Sequence, residues 1–166
     1  MNFPSMSKLL YVASHLGFSE GGRDFMYGKL IPIIEAAGYR ILDPWKLTPE
    51  SLFDAARNLP DGPEKIKKFV EVNKVATDNN FYAIRRSDGL VAVLDGQDVD
   101  SGTSCEIGFA AALGKPILGY RGDFRLSSEN SGAIVNMQVQ GGIELHRGKI
   151  ITKLDEMSVE LKKLFG

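Results

Sequence analysis

Residues 89–120 read GLVAVLDGQDVDSGTSCEIGFAAALGKPILGY, and the fold class can be predicted from this stretch. The run GLVAVL is apolar at successive positions, which predicts a strand buried on both faces, as in the centre of a parallel sheet covered by helices. The small and apolar residues of SCEIGFAAALG predict a helix, and KPILGY predicts the next strand. Strand, helix and strand in this order indicate a right-handed parallel crossover.

The same alternation continues toward both ends of the chain. Apolar runs predict two short strands, at residues 8–15 and 39–45, and helical spacing predicts three helices, at residues 19–38, 61–88 and 152–165. An α/β fold with a parallel sheet follows. Residues 121–142 show weak periodicity, and we expect a loop or lid there with one short helical piece.

Composition limits the classes of function. The 166 residues predict a single domain spanning 1–166, and 20 basic against 21 acidic side chains leave no net field to attract nucleic acid or a membrane surface. Cys105 is the only cysteine, so no internal disulfide is expected. The N-terminus lacks the pattern of a signal peptide, and no apolar run is long enough to cross a bilayer. We therefore predict a cytoplasmic protein.

Four carboxylates crowd the loop after the central strand: Asp95, Asp98, Asp100 and Glu106. That loop lies at the edge where open α/β sheets bind ligands, and Gly102 stands in the first turn of the following helix. Two carboxylates facing one crevice suit cleavage of a glycosidic bond. Glu106 is the better nucleophile, because we expect the helix N-terminus to lower its pKa.

Two simpler interpretations of this cluster stay open. Thr103 and Glu106 have the spacing of a capping box, in which Glu106 would only bond a backbone N–H. A calcium-binding loop is the second interpretation, although the spacing of the four carboxylates lacks the alternating ligands and central glycine of an EF-hand. We expect no metal and no cofactor.

The segment DGQDVDSGTSCEIGFAAALGKPILGYRGDFR, residues 95–125, closely resembles the signature of the nucleoside 2-deoxyribosyltransferases. The resemblance extends from LLYVAS at residue 9 to IVNMQVQGG at residue 142. It implies a flavodoxin-like, Rossmann-like three-layer sandwich with a mainly parallel five-stranded sheet. It also implies homo-oligomers with shared active sites, and exchange of a free nucleobase on a 2′-deoxyribonucleoside through a covalent deoxyribosyl-enzyme.

The resemblance also implies roles for individual residues. Glu106 matches the nucleophile, and Asp100 matches a carboxylate that holds the deoxyribose. Asp78 matches the acid that exchanges a proton with the base, and Tyr11 matches a tyrosine that orients the nucleophile. Asn136 matches an asparagine lent by a neighbouring subunit to the 5′-hydroxyl.

Structural alternatives accompany three of these assignments. Asn136 could cap a loop, Tyr11 could be strand packing, and Asp78 could mark a helix break, since aspartate competes for backbone groups within a helix. For the base, we expect stacking on aromatic side chains, and the sequence offers Phe18, Trp45 and Phe124.

Three other functions compete with base exchange. A hydrolase of 2′-deoxynucleoside 5′-monophosphates would use a phosphate loop after the first strand, where this chain offers Ser14, Ser19, Gly21, Gly22 and Arg23. A non-catalytic nucleotide sensor would use the helix N-terminus at Gly102 to hold its ligand. A redox flavoprotein follows from the fold alone, without separate evidence for flavin.

Overall fold

A computed structural model of the chain describes residues 7–166. Its five strands are β1 (Leu9–Ala13), β2 (Arg40–Leu42), β3 (Gly89–Val93), β4 (Ile117–Tyr120) and β5 (Lys149–Ile151). They pair in the order β2-β1-β3-β4-β5, and every pairing is parallel. This is the strand order of flavodoxin-like sheets, so the predicted fold class is confirmed.

Helices follow each strand, as the alternation of the sequence predicts. They are α1 (Glu20–Phe25), α2 (Ile31–Ala36), α3 (Pro44–Leu47), α4 (Glu50–Arg57), α5 (Pro63–Arg86), α6 (Ser101–Ala112), α7 (Met137–Glu144) and α8 (Met157–Phe165). A π-helical segment, Met26–Leu30, joins α1 to α2, and single 3-10 turns lie at Leu16–Phe18 and Leu154–Glu156. None of the helices within residues 7–166 is long and apolar enough to span a bilayer.

The sheet is buried on both faces, because successive strand side chains point to opposite sides. Leu10, Val12 and Val91 pack with the α1–α2 helix and α8 on one face. Tyr11 and Ala92 pack with α5, α6 and α7 on the other. The result is the three-layer sandwich expected from the run GLVAVL.

Helix α5 differs from the sequence prediction in which of its side chains are buried. The spacing of Ile66, Phe69 and Val70 predicts an apolar face near its start. Phe69 is half-buried, but Ile66 and Val70 are 67% and 64% exposed. The buried positions are Val72, Ala83 and Ile84. A helix of 24 residues is about 36 Å long at 1.5 Å per residue, and strands of about five residues span roughly half that length, so its N-terminal half extends beyond the sheet.

Two features lie outside these predictions. The sequence prediction contains no helix between residues 46 and 60, where the chain forms the second half of α3 and all of α4. The expectation that no signal peptide is present rests partly on residues 1–6, which lie outside the described residues.

Candidate active site

A cavity of about 520 Å³ opens at the carboxyl ends of β1 and β3. Its walls come from the loop after β1, helices α3 and α4, the middle of α5 and the first turns of α6. The chain order of the strands reverses between β1 and β3, and ligands of open α/β sheets bind at this point.

A carboxylate and a phenol meet at the inner end of this cavity. The hydroxyl of Tyr11 donates a hydrogen bond of 2.5 Å to Oε1 of Glu106. Tyr11 belongs to β1 and is fully buried, so the strand fixes the position of its hydroxyl. Glu106 lines the cavity. The phenol therefore holds the carboxylate in one orientation while part of it stays accessible to a ligand.

The environment of Glu106 differs from the sequence prediction. Burial raises its pKa to about 7, the bond from Tyr11 opposes this, and the negative charge of Asp100 adds to it. The predicted lowering by the helix N-terminus is wrong, because Glu106 is the sixth residue of α6 and the dipole acts mainly within the first turn. Burial also raises the pKa of Tyr11, so the phenol keeps its proton and remains a donor.

Asp100 lies beside Glu106 and caps α6. Its Oδ2 accepts a hydrogen bond of 2.9 Å from the backbone N–H of Thr103. This arrangement excludes the capping-box interpretation, because Asp100 is the cap and Glu106 bonds Tyr11 instead. Asp100 and Gly102 both line the cavity, and a Cβ at Gly102 would come within 3.1 Å of the Asp100 carboxylate.

The four carboxylates of the loop therefore divide into two pairs. Asp95 accepts a 2.9 Å bond from the backbone N–H of Asp123, and Asp98 accepts one of 2.8 Å from Val99. These two shape the loop. The other pair, Asp100 and Glu106, faces the cavity, and within residues 7–166 no group of three or more acidic, histidine or cysteine side chains is placed to hold a metal ion.

Aromatic side chains form the wall opposite α6. The rings of Phe18 and Trp45 meet edge to face with centroids 4.6 Å apart, and Phe53 lines the same cavity. The indole N–H of Trp45 donates to the carbonyl of Ser14 at 3.2 Å, which fixes the ring. Phe124 is 94% exposed and does not line the cavity, so stacking of a base by Phe124 finds no support.

Helix α5 turns Asp78 away from the cavity. Its side chain is 63% exposed, and its carboxylate pairs with Lys74 one turn earlier at 2.7 Å. Ala76 and Asn80 line the cavity instead. At 3.6 residues per turn, a position two residues away points about 200° round the helix axis. Within one chain, the structure does not bring Asp78 to Glu106.

Asn80 is one of several cavity residues that the sequence analysis missed. Its Oδ1 is buried and has no hydrogen-bond partner among the described residues. The signal is helical periodicity: Val72, Ala76 and Ile84 lie at the same four-residue spacing, and Asn80 is the polar member of that stripe. In the neighbouring Asn79, both donor positions of Nδ2 are used, because Nδ2 donates to the carbonyl of Leu47 and the hydroxyl of Thr48.

Asn136 caps α7, as the structural alternative for this residue predicts. Its Oδ1 accepts hydrogen bonds from the backbone N–H groups of Gln138 and Val139, at 3.0 and 3.3 Å. Its Nδ2 donates to Glu129. Asn136 does not line the cavity of its own chain.

The proposed phosphate loop is occupied by internal hydrogen bonds. Ser19 caps α1 by accepting from the N–H of Gly22 at 3.1 Å, and Arg23 donates to the carbonyl of Gly17 at 3.0 Å. Ser14 lines the cavity, and its hydroxyl accepts from the N–H of Leu16. Neither Ser19 nor Arg23 lines the cavity.

The segment after β4 contains a buried cation that ties the loops together. Arg121 is 1% exposed and donates to the carbonyls of Leu94, Gly96 and Arg125. It therefore joins residues 121–125 to the end of β3. The short helical piece predicted within residues 121–142 is α7, which starts at Met137.

Comparisons with known proteins agree with this architecture. The 2-deoxyribosyltransferase of Bacillus psychrosaccharolyticus aligns with a TM-score of 0.63 and 17% identity over 90% of each chain. The Leishmania mexicana 2-desoxiribosyltransferase gives 0.63 and 19%, covering 96% of this chain and 99% of that one. A CMP N-glycosidase from Clostridium botulinum gives 0.54 and 20%, with 93% and 99% covered.

At these identities, the structural likeness shows the fold alone. Comparison with curated protein sequences gives no match. The family model for nucleoside 2-deoxyribosyltransferase matches residues 10–138, which include most of β1, the loop that contains Asp95, Asp98 and Asp100, all of α6 and the start of α7. The chain therefore belongs to the nucleoside 2-deoxyribosyltransferase family.

Proposed function

We propose that this protein exchanges the base of 2′-deoxyribonucleosides, with Glu106 as the nucleophile. The observation that carries this proposal is the Tyr11–Glu106 hydrogen bond at the inner end of the cavity, with Asp100 beside it. A carboxylate that is held in one orientation and partly withdrawn from water suits attack on an anomeric carbon.

The first step breaks the bond between C1′ and the base nitrogen. An oxygen of ionised Glu106 bonds C1′, the electron pair of the broken bond stays on the base, and the base takes a proton from water. The family resemblance assigns this proton to Asp78 or to a water linked to it. We favour water, because the Asp78 carboxylate is exposed and paired with Lys74.

The second step reverses the first with another base. A free nucleobase loses a proton to water and attacks C1′, and Glu106 leaves as a carboxylate. Two displacements at one carbon retain the β-configuration. Asp100 faces the same cavity and can accept a hydrogen bond from a sugar hydroxyl through the oxygen that does not cap α6.

The aromatic wall supports transfer rather than hydrolysis. Phe18, Trp45 and Phe53 offer flat apolar surfaces on which a base can stack while water is displaced. An acceptor base bound there is already in place when the first base leaves, so it competes well with water for C1′.

The charges of the cavity support a nucleoside rather than a nucleotide. Arg57 is the one cation among the described lining residues, and it is bonded to the carboxylates of Glu50 and Asp54. With Asp100 and Glu106 also present, a phosphate would meet more negative than positive charge. Hydrolysis of a 5′-monophosphate, which the phosphate-loop alternative requires, is therefore the weaker candidate.

The proposal also includes assembly. The resemblance implies a homo-oligomer in which Asn136 reaches a neighbouring active site, and the single cysteine favours a cytoplasmic location. The exposed Ile66 and Val70 of α5 support an apolar contact between chains, because adjacent exposed apolar side chains often mark an interface.

Chromatography of the purified protein with 2′-deoxyinosine, run with and without adenine, tests the proposed activity. We expect 2′-deoxyadenosine to form only when adenine is present. Release of hypoxanthine at the same rate without adenine would indicate a hydrolase. Absence of reaction with deoxyinosine, together with cleavage of deoxyinosine monophosphate, would favour the nucleotide alternative.

A pair of variants tests the nucleophile. Glu106→Ala should abolish exchange while the fold is retained. Glu35→Ala, on the exposed side of α2, is a matched control that should exchange bases at the parent rate. Exchange by Glu106→Ala at the parent rate would remove Glu106 as the nucleophile, and ligand binding without turnover in the unaltered protein would favour a sensor.

A further inference from the structure

Asn80 has an amide whose hydrogen-bonding capacity is unused. Its Oδ1 is buried without a partner, whereas the adjacent Asn79 amide donates to two acceptors on α3 and its connection to α4. Buried polar groups without partners are rare in folded proteins, and those that occur often have a functional reason. Asn80 lines the cavity, so the other polar atom of its amide, Nδ2, is available to a ligand there.

The position of Asn80 places it with the base rather than with the sugar. C1′ must lie against Glu106 for the proposed attack. Asp100 caps the same helix, so the sugar lies at this end of the cavity. The base is attached to C1′ and therefore occupies the remaining part of the cavity, whose walls include Trp45, Phe18 and Asn80. Oδ1 is the enclosed end of the Asn80 amide, and Nδ2 makes no hydrogen bond within residues 7–166, so Nδ2 remains available to donate to a ligand in the cavity.

An amide differs from an acid in what it can offer to a departing base. It can donate a hydrogen bond to negative charge that develops on a ring nitrogen or oxygen, but at neutral pH it has no proton to release. The other charged groups lining the cavity are Glu50 and Arg57 on α4, which pair with each other, and Asp100 and Glu106 on α6.

We propose that Asn80 binds the leaving base as a neutral donor and thereby selects nucleosides whose base departs as a stabilised anion. This inference rests on the proposed function. The C1′–N bond breaks with its electron pair on the base, the C1′–Oε bond to Glu106 forms, and water protonates the base afterward. Hypoxanthine, a 6-oxopurine, carries such negative charge well. Cytosine carries it poorly and depends on protonation before it leaves.

The test compares 2′-deoxyinosine with 2′-deoxycytidine at saturating adenine. The unaltered enzyme should have the higher kcat/KM for deoxyinosine. Asn80→Ala should lower this kcat/KM by about 10- to 100-fold, the range for losing a hydrogen bond to a charged group. Asn73→Ala makes the same change at an exposed position of the same helix and should leave both rates unaltered.

Asn80→Asp introduces an acid at the same position. Asp100 and Glu106 line the same cavity, and their like charges help the new carboxyl keep its proton. Cleavage of deoxycytidine should rise by at least about tenfold at acid pH and fall again as the new carboxyl ionises. The ratio of the Asn80→Asp rate to the parent rate at each pH should show this descending limb, because the dependence of both enzymes on protonated cytosine cancels from the ratio.

Two results would overturn the inference while the proposed function stands. One is an Asn80→Ala enzyme within twofold of the parent on both nucleosides, and the other is a parent enzyme that cleaves deoxycytidine as fast as deoxyinosine. If the folded parent releases base from neither nucleoside, the proposed function itself fails, and the inference fails with it. Asn80→Ala removes an unpaired buried oxygen, so we expect it to fold.

Discussion

Replacing Glu106 with glutamine should stabilise the folded protein at neutral and alkaline pH but not in acid. Burial raises the pKa of Glu106 from its ordinary value of 4.5 to about 7. A carboxyl with a raised pKa favours the folded state fully below pH 4.5, and this contribution is lost as the pH rises through 7. At about 1.4 kcal/mol per pKa unit, the loss amounts to about 3 kcal/mol.

Glutamine reproduces the protonated side chain. It cannot ionise, and its amide oxygen can still accept the hydrogen bond from Tyr11. The free energies of unfolding of Glu106→Gln and the parent should therefore agree near pH 4.5. The variant should become more stable by about 3 kcal/mol between there and pH 8, because the buried negative charge of the parent is absent from the variant.

Urea unfolding measures this difference directly. The single tryptophan, Trp45, reports the transition, and the parent and variant are compared at each pH and at one fixed protein concentration. Glu35→Gln, at an exposed position of α2, is the control and should follow the parent at every pH. A Glu106→Gln difference that does not change with pH would refute the argument that the Glu106 carboxylate is held in a desolvated site.

Other substitutions test the surroundings of the site. Tyr11→Phe removes the bond that lowers the pKa of Glu106, so the acid limb of kcat/KM for deoxyinosine should move to higher pH; an unchanged limb would contradict this. Gly17→Ala places a Cβ 2.1 Å from the Trp45 ring and should weaken binding of the base by about 1–3 kcal/mol, checked by KM and by tryptophan fluorescence. Arg121→Met should lower the free energy of unfolding by about 2–3 kcal/mol in urea, since buried carbonyls lose a charged donor; a loss below 0.5 kcal/mol would count against that role.

The parallel sheet was predictable from sequence because its signal is local. The run GLVAVL is apolar at every position, and that pattern needs two covered faces whatever the rest of the chain does. Helices α3 and α4 were harder to predict. Their residues, 44–57, lie at the edge of the fold and pack against α5, and residues 46–57 contain no comparably continuous apolar run.

The site was predictable only in part, because burial and direction depend on distant residues. The cluster of four carboxylates could be found from the sequence, and the family resemblance singled out Asp100 and Glu106 among them. The raised pKa of Glu106 could not be predicted in this way, since burial beneath neighbouring elements outweighs the local helix dipole. On α5, the family resemblance pointed to Asp78, whereas the four-residue spacing of Val72 and Ala76 leads to Asn80.

Helices α3 and α4 form one wall of the cavity, and they belong to a different part of the structure from Tyr11 and Glu106. Glu106 and Tyr11 are anchored in α6 and β1 beside the sheet, whereas residues 44–57 are tied to the rest of the chain through side chains such as Asn79 and Trp45. Substitutions within 44–57 can therefore reshape the space for a base without repacking the sheet. During evolution, the proposed specificity for the base can therefore change while Tyr11 and Glu106 are retained.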